Sequence, residues 1–281
     1  MKKKKTYPVY ICIICLILSI VLSGCTLQSD QKKQETNDTV QNEFEQYHFY
    51  KKEYLSRYSH YQDNHPDLSI KDIITYVNMN RDYDFYEKII LQNQPLSIHT
   101  LVNKYYQLPL SYEPDDLVEI NDTSLHYGAK YSKHTARKIV YDDFQALVHS
   151  CQKQGFELYV CSGYRSSTWQ KEIYEHMVDV YDQNQADKTC SRPGHSEHTT
   201  GLGLDIAFDQ YQYEDVVKHP SYSWFLSQLS DYGFIIRYPQ GQENLTGYEY
   251  EPWHIRYLGK DLAKKVENSQ LTFDEYYARN F

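Results

Sequence analysis

The chain has 281 residues, 41% hydrophobic and 24% charged, enough apolar material for one sizeable folded domain with a smaller accessory region, and too much for a chain disordered throughout. Acids outnumber bases, for a formal net charge of −9, which argues against nucleic-acid binding because that requires basic stripes to neutralise phosphates. The 30 tyrosines serve either as core residues with a polar tip or as amphipathic surfaces for sugar and peptide contact.

Lys2 to Lys5 form a basic stretch, and residues 9–22 are almost wholly apolar. That run is shorter than the roughly 20 residues that span a bilayer and fits a secretory signal. It ends in Leu22-Ser23-Gly24-Cys25, which resembles the lipobox of bacterial lipoproteins. The resemblance implies cleavage before Cys25, a diacylglycerol on its thiol, and a protein held on the outer face of the bacterial membrane. An uncleaved signal anchor is the alternative, and it also leaves the rest of the chain facing outward. Loss of residues 1–24 removes four lysines and no acid, taking the charge to −13. So acidic a chain gains nothing from anionic wall polymers, which leaves the lipid to hold it at the surface.

Residues 25–42 are polar and read as a flexible tether. Aromatic residues then recur at helical spacing (Phe44, Tyr47, Tyr50, Tyr54, Tyr58, Tyr61), which predicts one amphipathic helix over 43–61. Ser69 is a candidate N-cap for a helix over 70–76. Residues 43–96 are therefore expected to form a small helical layer. From about Leu101 the texture changes: 101–104 and 117–120 read as short extended pieces among turns. A helix is expected over 136–154, closed by Gly155, then a strand over 156–162 and a helix over 168–181. Further strands are expected over 204–208, 234–238 and 253–258, with helices over 224–232 and 260–267. The interleaving predicts an α+β domain over 97–267 with a mainly antiparallel sheet flanked by helices, followed by a C-terminal tail, 268–281.

Three clusters can carry chemistry: Ser162-Gly163-Tyr164-Arg165-Ser166, the run from Ser191 to Ile206, and Glu251-Pro252-Trp253-His254-Ile255-Arg256-Tyr257. A catalytic zinc takes three ligands from His, Asp or Glu and keeps one position for water. His198, Asp205 and His254 can supply two imidazoles and a carboxylate, and Gly201 and Gly203 argue against a helix between the first two. Water on such a metal has its pKa lowered toward 7 and can attack an amide. The base that deprotonates it must lie within hydrogen-bond reach, and Glu251 is the natural candidate. Positions three apart on a regular strand face opposite ways, so Glu251 joins His254 only if Pro252 breaks the strand. His195 reads as structural or as support behind the ligands. Cys151, Cys161 and Cys190 show no paired zinc-site spacing. A disulfide is allowed outside the cytoplasm; sequence does not choose the pair, and Cys161 with Cys190, which both flank the site, is the one expected.

Taken together, the clusters resemble the VanY-type zinc D-alanyl-D-alanine carboxypeptidases, relatives of the VanX dipeptidases and the hedgehog signalling domain. The family pattern S-G-Y-R, S-x-H-x-x-G-x-x-x-D, E-x-W-H is matched by 162–165, 196–205 and 251–254, and the resemblance covers roughly 97–265. It implies that His198, Asp205 and His254 bind Zn2+, that Glu251 moves the proton from water to leaving amine, and that Arg165 stabilises the oxyanion. Ser196 would contact the substrate, at its carboxylate, unless it only caps its loop. Gly203 stands where an alanine is common in the family, with little consequence expected because the residue stays small. The expected substrates are peptidoglycan stem peptides losing a terminal D-Ala, cleaved by a monomer. The rival readings are an L,D-carboxypeptidase acting on tetrapeptide stems and a non-catalytic wall-binding lipoprotein. The joint presence of Glu251 and Arg165 beside three ligands speaks against the last.

Overall fold

The structure, a computed structural model, describes residues 42–120 and 134–281. The expected signal, Cys25 and all but the end of the tether lie outside the described residues. The chain divides into two units between Ile74 and Thr75.

In the described part of the first unit, a 3-10 turn, Lys52–Tyr54, leads into α1, Leu55–Asn64. The continuous helix expected over 43–61 is broken. The chain turns twice before it, with the amides of Tyr47 and Tyr50 bonding back to the carbonyls of Phe44 and Tyr47. These turns gather Phe44, Tyr50 and Tyr54 around the ring of Tyr58, with centroids 5.4, 5.7 and 6.2 Å away. The aromatic spacing thus encodes a ring cluster rather than a helical stripe. Helix α2 spans Ile70–Asn78. At its start the Ser69 hydroxyl accepts the Asp72 amide and donates to the Asp72 carboxylate, satisfying an otherwise orphaned N–H as a cap should.

The second unit opens with a short parallel pair, β1 (Ile90–Leu91) and β2 (Tyr106–Gln107). Residues 101–104, expected as an extended piece, lead into a turn. There the Asn103 carboxamide oxygen accepts the amides of Tyr105 and Tyr106, a local bond that competes with strand pairing. An antiparallel pair follows, β3 (Leu117–Glu119) with β4 (Thr135–Arg137). Then come α3 (Lys138–Gln154), β5 (Leu158–Ser162), α4 (Ser167–Val180), α5 (Gln183–Thr189), β6 (Gly203–Phe208) and α6 (Tyr222–Gln228). The chain ends with β7 (Phe234–Ile236), α7 (Glu243–Thr246), β8 (His254–Tyr257), α8 (Lys260–Ser269) and α9 (Phe273–Asn280).

The main sheet runs in the order β5-β6-β8-β7 and is antiparallel throughout, giving the expected α+β class. Side chains alternate across a strand, and here the alternation separates stability from chemistry. Leu158, Val160, Leu204, Ile206, Phe208, Phe234, Ile255 and Tyr257 enter one core cluster with Phe144 and Leu147 of α3. Each such burial contributes about 1.5–3 kcal/mol. The intervening positions, Asp205 on β6 with His254 and Arg256 on β8, belong to the opposite face. Register then pairs Asp205 with His254 and Gly203 with Arg256, so two candidate ligands become cross-strand neighbours.

Residues 268–281, expected as a tail, hold the end of α8 and all of α9. Thr272 and Glu275 form a reciprocal capping box, and Phe273 and Asp274 are buried. The tail reading gives way because this segment carries both a helix start signal and apolar residues to bury.

Candidate active site

Asp205 sits at mid-strand on β6, next to a bulge in β5 between Val160 and Ser162. His198 lies on a 3-10 turn, Glu197–Thr200, that leads into β6. His254 opens β8. Together these three buried residues present ligand atoms that all lie within 4.8 Å of one another. Residues far apart in the chain converge as the ligand spacing requires.

The imidazole orientations are fixed from behind. His198 Nδ1 lies 2.7 Å from the carbonyl oxygen of Gly163. A carbonyl only accepts, so Nδ1 carries the proton and Nε2 turns a lone pair inward. That Nε2 stands 3.2 Å from Asp205 Oδ2, is buried, and has no hydrogen-bond partner among the described residues. Two buried acceptors facing each other are mutually repulsive unless a cation lies between them, so this donor set fits a divalent metal. On the other side Asp205 Oδ1 is 2.9 Å from His254 Nδ1. Two imidazole nitrogens and one carboxylate form a ligand set typical of hydrolytic zinc.

Glu251 precedes β8 rather than lying on it. The His254 amide bonds to the Glu251 carbonyl at 3.2 Å, closing a turn through Pro252 and Trp253. This turn removes the strand-facing objection and places Glu251 Oε2 3.7 Å from His254 Nδ1. Burial pushes the Glu251 carboxyl up to about 8; Asp205 and Glu197 add to this against the pull of His254 and Arg165. A group poised near neutrality in this place suits proton transfer. Burial opposes charge on His254, yet the Asp205 and Glu197 carboxylates carry its pKa up to about 9. His198 moves the other way, to about 4, through burial and then the nearby Arg165. Asp205 is held well below the usual range: burial opposes this, but the two imidazoles prevail.

Arg165 leaves β5 just ahead of α4, its amide donating to the His198 carbonyl at 3.2 Å. Its guanidinium reaches into the cleft, with Nη2 3.9 Å from Asp205 Oδ2 and a buried Nε that has no hydrogen-bond partner among the described residues. Ser196 is buried at the start of the 3-10 turn, makes no side-chain cap bond there, and lines the same cleft as Arg165, Glu251 and the ligands. His195 is not among the lining residues; its Nδ1 bonds to the Asn103 carbonyl at 2.7 Å and its ring packs edge-on against Tyr86, a structural role. The expected Cys161–Cys190 disulfide is not formed, and all three described cysteines are free. Cys190 instead receives a hydrogen bond from Gln170. Burial pushes both the Cys161 and Cys190 thiols up to about 11, leaving them protonated and poor nucleophiles.

Several residues of the site have no role in the sequence-based expectation. Glu197, between Ser196 and His198, is wholly buried against Arg237 and Arg256. Tyr238 lays its ring by His254 at 5.2 Å, and Tyr213 and Trp253 meet at 5.8 Å on the cleft wall. A readable signal existed for the arginines: Arg237 directly follows the apolar run Phe234–Ile236 and Arg256 lies between Ile255 and Tyr257, and a charge buried that way needs a partner elsewhere.

Fold and site together define a zinc-dependent peptidase built on an antiparallel sheet. A family model described as VanY, D-alanyl-D-alanine carboxypeptidase, matches residues 133–260. The putative carboxypeptidase YodJ of Bacillus subtilis (strain 168) is 35% identical over 266 residues, 94% of this chain and 93% of that protein. Among solved structures, the LdcB LD-carboxypeptidase is 39% identical with a TM-score of 0.62, covering 68% of this chain and 90% of that one. The vancomycin-resistance D,D-pentapeptidase VanY, solved with Zn(II), is 28% identical with a TM-score of 0.55, covering 64% and 98%. The chain belongs to the VanY family of D-alanyl-D-alanine carboxypeptidases.

Proposed function

We propose that this chain removes the terminal D-Ala from peptidoglycan stem peptides on the outer face of the membrane, as a monomer tethered through a lipid on Cys25. The observation that carries the catalytic part is the buried convergence of His198, Asp205 and His254 beside Glu251 and Arg165. Those three residues would hold zinc, which when bound lowers the pKa of a water toward 7 and polarises a carbonyl. Glu251 takes the proton from the attacking water and delivers it to the departing D-Ala amine. Arg165 faces the carbonyl oxygen as it gains charge, a contribution of about 3–4 kcal/mol for a well-placed donor. Ser196, whose hydroxyl makes no cap bond at the start of its turn, binds the substrate's terminal carboxylate. Mass spectrometry of a pentapeptide stem after incubation should show loss of one alanine with zinc and none after chelation; cleavage unaffected by chelation would end this reading.

A second reading is supported by the LdcB LD-carboxypeptidase, 39% identical to this chain: removal of D-Ala from tetrapeptide stems by the same machinery. Comparing kcat/KM on pentapeptide and tetrapeptide stems decides between them. The anchor is tested separately. A Cys25→Ala variant should be released into the medium, and one that stays with the cells counts against the lipid.

A further inference from the structure

Behind the ligands lies a buried ionic chain that the catalytic roles above do not use: Glu197, Arg237, Arg256 and Asp274, with side chains between 0% and 2% exposed. Two positive and two negative groups balance, but their hydrogen bonds are shared unevenly. Arg237 gives Nη1 and Nη2 to Asp274 at 2.5 and 3.2 Å, and only Nε to Glu197, at 2.7 Å. Arg256 gives Nη2 to the carbonyls of Ile98 and Thr100, Nε to that of Tyr257, and Nη1 to Glu197, at 2.7 Å. Both arginines therefore meet Glu197 at the same oxygen, Oε1, and their other contacts lie elsewhere. Among the described residues Oε2 is left without a hydrogen bond, and so is the buried Nε2 of His254; the two face each other across 3.7 Å.

We propose that Glu197 is a positioning residue for the metal site: its Oε2 accepts the Nε2 proton of His254, so that Nδ1, which faces Asp205 at 2.9 Å, is the nitrogen left to give its lone pair to a bound metal. Asp274, from α9, makes this possible by occupying the donors of Arg237 that would otherwise compete for Oε2. The C-terminal helix is thus part of the apparatus that orients a ligand. Neutral imidazole has one N–H and one lone pair, so the partner of one nitrogen decides what the other can bind. At Gly203 an added Cβ would stand 3.2 Å from His254 Nε2, so an alanine there fits only if the ring gives by a few tenths of an ångström.

The proposal rests on the zinc reading of the site, and the test separates the two. Glu197→Gln keeps the shape but not the pattern. With its carbonyl kept toward the arginines, the amide turns N–H groups at His254 Nε2, which favours the wrong tautomer. Zinc affinity, measured by chelator competition, should fall about 10- to 100-fold. The zinc-loaded wild type, observed by long-range nitrogen–proton NMR of its imidazoles, should show a hydrogen-bonded proton on His254 Nε2. A folded Glu197→Gln protein that binds zinc as tightly as the wild type overturns the proposal. So does a wild-type spectrum with no proton on that nitrogen, a readout that holds even if the variant does not fold. Asp274→Asn, further from the metal, should weaken zinc several-fold; unchanged affinity removes α9 from the account. Failure of the wild type to bind zinc would instead overturn the reading of the whole site.

Discussion

Gly163→Ala tests how the site is held in register. The carbonyl of Gly163 accepts the His198 Nδ1 proton, the Tyr164 amide donates to the Thr135 carbonyl at 2.6 Å, and the Arg165 amide donates to the His198 carbonyl. A Cβ at position 163 would meet the Thr135 carbonyl oxygen below 3.0 Å, where real Cβ atoms are essentially never found, and would lie 3.3 Å from its C and N atoms. These are backbone atoms of β4 and cannot swing aside, so the segment that carries Arg165 and buttresses His198 must move off the strand. Ordinary contact begins at 3.4 Å, so the displacement is about half an ångström or more, with overpacking costing about 1–3 kcal/mol. Thermal unfolding should show Tm lower by about 3–10 °C. Because about 1 Å of misplacement can cost a hundredfold in rate, kcat/KM on a pentapeptide stem should fall about 10- to 100-fold. A Gly163→Ala enzyme with wild-type Tm and wild-type kcat/KM would refute the view that this close approach sets the site.

Other outcomes follow from the same geometry. Glu251→Ala should keep its zinc, confirmed by metal analysis, while kcat falls about 100- to 10,000-fold, the usual range for a lost acid–base group. Arg165→Lys keeps a charge but loses the fork, and kcat should drop about 100-fold with little change in zinc content. In the metal-free protein His254 is raised to about 9 and Glu251 to about 8, so both hold protons at neutral pH, and a proton on His254 must leave for zinc to enter. Apparent zinc affinity should therefore rise with pH from 6 toward 9, by about tenfold per unit for one displaced proton. Calorimetry in two buffers of different ionisation enthalpy checks the proton release, and an affinity flat between pH 6 and 8 would contradict it.

Much of the site was legible in the sequence because its donors lie in short local patterns. His198 and Asp205 fall on one turn-and-strand unit, and Glu251 and His254 on another, so spacing alone could nominate them. Register between β6 and β8 then completed what spacing implied. The supporting chain was not legible in that way. Glu197, Arg237, Arg256 and Asp274 come from four separate stretches of the chain, and only the folded sheet shows that one carboxylate oxygen serves two arginines. The N-terminal aromatic series was misleading for a different reason: rings spaced three or four apart fit a helical face and also fit turns wrapped around Tyr58. In contrast, α9 has a readable start, Thr272 with Glu275 three residues on, although it lies beyond the recognisable motifs.

The central claim is that His198, Asp205 and His254 hold one zinc with Glu251 as the proton carrier. Its most direct test is a side-by-side mass-spectrometric assay of zinc-loaded wild type and zinc-loaded Glu251→Ala on a defined pentapeptide stem. The wild type should release a single D-Ala and the variant, with equal zinc, almost none. Equal release by the two proteins would contradict the account.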